Sequence, residues 1–347
     1  MIVSKVCSVR SARLSISIAM ATYNGARYIR DQLESLSKQT VLPDELVVSD
    51  DASSDETLSI VADFAARAPF RVRMERNSHR LGYRANFMRV ADLSNSDLIA
   101  FCDQDDIWLP TKLATCLGMF KNKEVLLTYH NGLIVTETLE PIGSLKDRGA
   151  PRAFNGPQSI GPWQQALGFT MVLRRALLDF ADCWPESSHF FSIDNPEAHD
   201  QWFYFLASSL GTIAYVKEPL ALYRQHGDNA YGWNDEPSFR RTMGIIRMPS
   251  AEGLNARAIT AGKRAAILDK IQTKSAEYHD RAGSAALGYR KLKRNLRRRQ
   301  EIYLSDTTLS KLTRLAFVIA SGVYRSQRRW GVGLQAMISD MLHVIRP

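Results

Sequence analysis

The stretch Phe101-Cys102-Asp103-Gln104-Asp105-Asp106-Ile107-Trp108 joins an apolar run, Leu98 to Cys102, to three carboxylates within four residues. Like charges that close repel, and each loses hydration at the tip of a buried strand. A divalent cation resolves the conflict, because hard oxygen ligands suit Mg²⁺ or Mn²⁺. A solvated Asp-rich turn is the plainer alternative.

The elements that would position these acids can be read in order. Ser15 to Met20 reads as a strand, followed by turn chemistry at Asn24-Gly25 and a helix with Ile29, Leu33 and Leu36 on one face. Glu45 to Ser49 is a second buried strand. It ends in Asp50-Asp51-Ala52-Ser53-Ser54-Asp55, where Ser53 and Glu56 have capping-box spacing before a helix. A strand near Arg71–Glu75, a helix from Tyr83 to Leu93 and the strand Leu98–Cys102 continue the alternation. Strands alternating with helices predict a parallel, doubly wound α/β sheet whose ligand crevice lies at the carboxyl ends of the strands. Three polar loops fall there: Thr22–Gly25, Asp50–Asp55 and Asp103–Asp106. No GxGxxG follows the first strand, which disfavours a dinucleotide site, and GxxxxGK[ST] is absent, which excludes a P-loop.

These stretches carry a resemblance. Ser17-Ile18-Ala19-Met20-Ala21-Thr22-Tyr23-Asn24-Gly25, Val48-Ser49-Asp50-Asp51-Ala52-Ser53-Ser54-Asp55 and Asp103-Gln104-Asp105-Asp106-Ile107-Trp108-Leu109-Pro110 resemble family 2 glycosyltransferases, in the family's order. So do Ala198-His199-Asp200-Gln201-Trp202 and Tyr223-Arg224-Gln225-His226-Gly227, the latter typical of the bacterial rhamnosyltransferase-like branch. The likeness covers roughly residues 14–232. Gly168-Phe169 departs from the family's usual Gly-Cys, which touches acceptor contacts there.

The resemblance implies a GT-A fold, Rossmann-like, with a mostly parallel central sheet flanked by helices. It implies an inverting, metal-dependent enzyme moving a sugar from a UDP- or dTDP-sugar to a saccharide acceptor in bacterial surface polysaccharide synthesis. Asp103-Gln104-Asp105 matches the family's DxD motif, so Asp105, supported by Asp103, is implied to hold Mn²⁺ or Mg²⁺. Asp106 is next in line but equally suited to capping the following turn. Asp200 is implied to be the catalytic base, against a plainer role as an acid at a helix N-terminus. One base and an in-line displacement would invert the anomeric carbon.

Other side chains keep two readings. His226 is a metal or diphosphate ligand, or satisfies a backbone carbonyl. Arg224 pairs with phosphate or with a neighbouring carboxylate. Asp51 accepts the imide N–H of uracil or thymine, or caps the helix after it; Asp50 is the more structural of the two. Tyr23 stacks on the base, Thr22 and Ala21 offer backbone contacts at the strand tip, and Asn86 and Arg84 border the donor site. A sugar nucleotidyltransferase is the first rival; it should carry a Gly-rich basic loop that Thr22-Tyr23-Asn24-Gly25 does not supply. A non-catalytic scaffold is the second, and it would not need Asp51, Asp105 and Asp200.

Charge divides the 347 residues unevenly. The chain is +9 overall, yet residues 235–347 carry +13 and residues 1–234 carry −4. That division suggests a catalytic domain at 1–234 and a basic, mainly helical region at 235–347. Whole-chain basicity is therefore no argument for nucleic acid, and the basic region lacks interleaved aromatics. Cys7, Cys102, Cys116 and Cys183 form no CxxC pair, so a reducing, cytoplasmic setting is expected. Lys5, Arg10 and Arg13 before Leu14–Ala21 imitate a signal peptide, but the Ser/Ile alternation reads as a strand. Arg257 to Arg299 reads as helix, Leu315–Val323 is too short to span a bilayer, and Trp330, Leu334, Met337, Ile338, Met341, Leu342 and Ile345 share one helical face. Basic residues beside that stripe fit peripheral docking on the inner face of the membrane, near a lipid-linked acceptor, or a bundle packed on the catalytic domain.

Overall fold

A computed structural model describes residues 13–145, 152–227, 249–326 and 330–345. The N-terminal residues 1–12 and the expected boundary near residue 234 lie outside them.

Strands β1 (Ile16–Thr22), β2 (Glu45–Asp50), β3 (Arg71–Arg76) and β4 (Leu98–Cys102) form a parallel block in the order β3-β2-β1-β4. Helices α1 (Ile29–Ser37), α2 (Thr57–Ala65) and α3 (Tyr83–Leu93) make the crossovers. Alternation sorts the strand residues between two cores. In β4, Leu98, Ala100 and Cys102 face the core shared with α1 and α2, whereas Ile99 and Phe101 face the core under α3. The chain turns outward from β1 toward β2 and β3, then back to β4 on the other side. The loops after β1 and β4 therefore flank the crevice where the strand order reverses.

The sheet is not parallel throughout. Beyond β4 come β9 (Met171–Arg174), β6 (Val125–Val135), β10 (Thr212–Arg224) and β5 (Ile107–Trp108). The short β9 pairs antiparallel with both β4 and β6, and so joins two blocks. Strand β5 pairs antiparallel with β10 through Ile107–Leu222 and Trp108–Ala221, which brings the end of β10 beside the acid loop. Helix α4 (Lys112–Met119) follows β5, and α5 (His199–Leu210) lies on the α3 side of the sheet. Two minor strands, β7 (Pro141–Ser144) and β8 (Phe154–Asn155), edge β6 and β10.

Two local expectations change and one is refined. The Ser53–Glu56 capping box is not formed: Asp55 accepts the Thr57 N–H at 3.0 Å instead, while Ser53 is tied back to Asp50. The stretch 257–299 is two helices, α6 (Ala251–Lys274) and α7 (His279–Tyr303), broken at 275–278. Helices α8 (Thr308–Ala320) and α9 (Leu334–Ile345) follow, and Trp330 leaves the α9 face to pack on Tyr289, its ring filling the space a Cβ at Gly288 would need.

The C-terminal helices share the catalytic half's core. Leu254, Ala258, Leu268, Tyr289 and Leu296 belong to the same buried cluster as Phe101, Trp202 and Phe205. Buried Arg264 on α6 bonds Glu197 at 2.8 Å, the Pro162 carbonyl at 2.7 Å and the Tyr289 hydroxyl at 3.1 Å.

Candidate active site

The acid loop is held on both sides. Gln104, the middle residue of Asp-Gln-Asp, pairs with the backbone of Tyr23: its Oε1 accepts the Tyr23 N–H at 2.9 Å and its Nε2 donates to the Tyr23 carbonyl at 3.0 Å. A Cβ at Gly25 would collide with that amide, so the glycine is required by the contact. The loops after β1 and β4 are thus tied to each other.

From the other side comes the end of β10. The Arg224 backbone N–H donates to Asp106 Oδ1 at 3.2 Å, and its guanidinium bonds the Asp105 and Glu137 carbonyls and, at 2.8 Å, Asp31 Oδ2 on α1. The side chain is buried and lies 4.9 Å from the Tyr28 ring centroid. Arg224 is therefore a clasp among protein acceptors, the carboxylate-pairing half of the two readings. Two residues on, His226 stacks on Tyr28 and brings Nε2 to 3.0 Å from Asp105 Oδ2.

Beneath the loop lies a cation the sequence reading missed. Lys112 is fully buried, donates to the Phe169 carbonyl at 2.6 Å and sits 3.3 Å from the Trp108 ring centroid. Burial lowers its pKa to about 8, opposed by Cys102, Cys116, Asp106 and Asp103. Its signal was a lone Lys sharing an i, i+4 face with buried Cys116. Even with Lys112 near, burial and then Asp105 push Asp103 upward, with Asp200 adding to it. Burial, Asp105 and Asp103 likewise push Asp106 well up, and its Oδ2 has no hydrogen-bond partner among the described residues.

Asp200 enters from α5, in its first turn, with Oδ1 accepting the Gln201 N–H at 2.8 Å. Burial raises it to about 6. The preceding His199 stacks on Phe87 at 3.9 Å between ring centroids, with neither ring nitrogen hydrogen-bonded among the described residues, and burial lowers it to about 3. Its ring occupies the space that a Cβ at Gly168 would need. This explains the glycine of Gly168-Phe169, while Phe169 stacks on Tyr223. Glu197, three residues before Asp200, is the partner of Arg264, so α6 braces the segment that delivers the acid.

The residues expected around the nucleotide lie across β1, β2 and the start of α3. Thr22 is buried and donates to Asp50 Oδ2; Ala21 is half-buried on the same strand tip. Asp50 also accepts from the Ser53 N–H and hydroxyl, a structural role. Asp51 accepts from the Leu81 and Gly82 N–H groups at 2.6 and 2.8 Å and from Asn77 at 3.0 Å. It holds the entrance to α3 rather than capping α2. A carboxylate has about four lone-pair sites, so one remains for a ligand. Tyr23 carries the Arg80 guanidinium 3.9 Å from its ring centroid. The amide of Asn86 is directed into the protein, accepting from Ser49 and Asn77 and donating to the Ser49 carbonyl. Arg84 is half-buried, faces Asp200 electrostatically, and leaves Nε without a hydrogen-bond partner among the described residues.

Could this set hold a divalent ion? Among the described residues no three His, Cys, Asp or Glu side chains converge as a complete ligand set. Asp105 and His226 do converge, and their 3.0 Å separation matches the edge of an octahedron with ~2.1 Å bonds. Magnesium-type sites use one or two side chains plus substrate phosphates and water, so the pair fits that use.

Comparison with known proteins bears on the family and the fold. The family model "Glycosyl transferase family 2" matches residues 17–162. The dTDP-rhamnosyl transferase RfbG of Shigella flexneri is 30% identical over 250 residues, 66% of this chain and 79% of that protein. An Escherichia coli protein, the UDP-Glc:alpha-D-GlcNAc-diphosphoundecaprenol beta-1,3-glucosyltransferase WfgD, is 32% identical over 120 residues, 35% of this chain and 46% of its own length. In structure, residues 1–349 of S. aureus TarS in complex with UDP align over 95% of this chain and 91% of that one, at 16% identity and a TM-score of 0.50. With RfbG matched over most of its length, the chain belongs to the family 2 glycosyltransferases, with a mixed α/β fold of GT-A type and a rhamnosyltransferase-like sequence.

Proposed function

We propose that the enzyme transfers a sugar from a UDP- or dTDP-sugar to a saccharide acceptor in bacterial surface polysaccharide synthesis, with inversion at the anomeric carbon. The observation that supports the reading is the contact of Asp105 with His226 at the crevice where the strand order reverses, beside an Asp103 that feels the charges of Asp105 and Asp200. RfbG and WfgD, whose names specify dTDP-rhamnosyl and UDP-glucose transfer, support a pyrimidine diphosphate donor; WfgD's diphosphoundecaprenol acceptor supports a lipid-linked one.

In this reading the acceptor hydroxyl oxygen bonds to the anomeric carbon as the bond from that carbon to the diphosphate breaks. The nucleoside diphosphate departs with the electron pair, and Asp200 takes the hydroxyl proton. With its pKa raised to about 6, Asp200 is ionised at neutral pH yet more basic than an ordinary carboxylate. Asp105 and His226 would hold Mn²⁺ or Mg²⁺, with Asp103 in support. The ion supplies charge stabilisation to the departing diphosphate. Asp51 offers its remaining lone pair to the base imide, while Thr22, Ala21 and Tyr23 border the nucleoside. Arg224 and Asn86 act as positioning residues, the first for the acid loop and the second for the β1–β2 tip.

The test is a melting-temperature screen of nucleotides with and without metal. UDP or dTDP should raise the melting temperature, and only with Mn²⁺ or Mg²⁺ present. No shift with any nucleotide would sink the donor assignment.

A further inference from the structure

Helices α8 and α9 turn more apolar surface outward than a bundle that ends in water needs. On α8, Leu309, Leu312, Phe317 and Ile319 are exposed, Leu309 by 76%, while only Leu315 and Val318 are buried. On α9, Leu334, Ile338, Met341 and Ile345 recur at i, i+4, i+7 and i+11 and all face outward, Ile345 by 74%. The two helices pack on each other, so the stripes belong to one region of the surface.

The orientation of α9 is locked. Its only acid, Asp340, is fully buried and accepts from Arg299 at 2.6 and 2.7 Å and from the Tyr303 and Tyr324 hydroxyls at 2.6 Å each. Rolling the apolar stripe inward would pull that carboxylate out and leave Arg299 buried without its partner. The polar side is thus fixed inward and the apolar side outward.

The charge near the stripes is mainly positive. The described residues of 290–345 contain 10 Lys+Arg and 3 Asp+Glu, of which Asp340 is buried and Glu301 is paired with Arg314. Helix α8 has no acid at all; Lys311 and Arg314 border its stripe, and Arg298 lies 5.3 Å from the Phe317 ring centroid. An apolar strip rimmed by cations matches a bilayer surface bearing anionic phospholipid, where rings and aliphatic chains enter the acyl boundary and the cations meet the headgroups. Among the described residues no helix is long and apolar enough to cross a membrane, so the contact is peripheral.

We propose that the α8–α9 face docks the enzyme on an anionic membrane surface. This rests on none of the catalytic assignments, because binding is read without donor or acceptor. The full chain is sedimented with vesicles of phosphatidylcholine alone, or with roughly 30% phosphatidylglycerol, at about 0.1 M salt. Binding to the anionic vesicles and little to the neutral ones is expected. Leu309→Glu combined with Phe317→Glu and Ile338→Glu should lower the bound fraction about tenfold or more, with the melting temperature unchanged. If that variant does not fold, Leu309→Ser with Ile345→Ser gives the same reading at the two most exposed positions. Failure of the parent to bind anionic vesicles, or equal binding by a folded variant, overturns the proposal. So does a dimer that the variant dissolves in sedimentation velocity while vesicles go unbound, which would assign the face to a second copy.

Discussion

Two regions of this molecule bury charge, and they do so differently. Around Asp340, both carboxylate oxygens are met by Arg299 and by two tyrosine hydroxyls. Around the acid loop, Asp103 and Asp106 crowd Asp105, with buried Lys112 beneath them, and burial together with their neighbours pushes Asp103 and Asp106 upward. The first arrangement is self-sufficient and serves architecture. The second is short of positive charge, and such a deficit is where a cationic or protic ligand is most strongly held.

The contrast can be broken at either end. The largest expected effect is at Asp200: Asp200→Asn should lower transfer by ~10²–10⁴ while leaving nucleotide affinity in place, from removal of the base alone. Steady-state turnover with a matched donor reads it, and an unchanged rate removes Asp200 from the role. At the balanced end, Asp340→Asn should destabilise the fold by ~3–5 kcal/mol, because Arg299 is left buried and uncompensated. Replacing both Asp340 and Arg299 by Leu should recover most of that loss in urea unfolding. A single variant as stable as the parent would count against the pairing.

The same Asp200→Asn change should stabilise the fold. Asp200's value of about 6 lies above the ordinary 3.8, so its contribution to stability is present at low pH and lost as pH rises through about 6. At pH ~7.5 the ionised group opposes folding, and Asn removes that opposition, worth ~1–3 kcal/mol. A lower melting temperature for the variant would contradict the buried-acid picture. The last effect concerns His199, held neutral down to about 3. Its contribution is full above the ordinary imidazole value and falls as pH drops from 6.5 toward 3, by about 1.4 kcal/mol per pH unit at most. His199→Gln should flatten that part of the stability profile, and an identical slope would place the loss elsewhere.

Much of the catalytic half was legible because local signals and global topology agree there. Helix Tyr83–Leu93 and strand Leu98–Cys102 fall where periodicity put them, and the acid loop sits at a strand tip in the crevice. What escaped were partners distant in sequence. Nothing near Arg224 announces Asp31, 193 residues away, and nothing near Glu197 announces Arg264. The antiparallel β9 also escaped, since four residues between turns carry no direction. At α8 and α9 the period was readable, but which side faced water was not, because buried Asp340 decides it.

The bond between Gln104 and the Tyr23 backbone has an evolutionary consequence. By sequence alone the middle position of Asp-Gln-Asp reads as a spacer between two acids. Here its amide closes a ring with the backbone two residues before Gly25. Residues 25 and 104 are therefore sterically coupled. A chain that loses the glutamine gains room at position 25, and a chain that gains a side chain at 25 must first give up the glutamine. Drift at this pair should proceed in that order, and a library randomising position 104 alone should return glutamine more often than one randomising both.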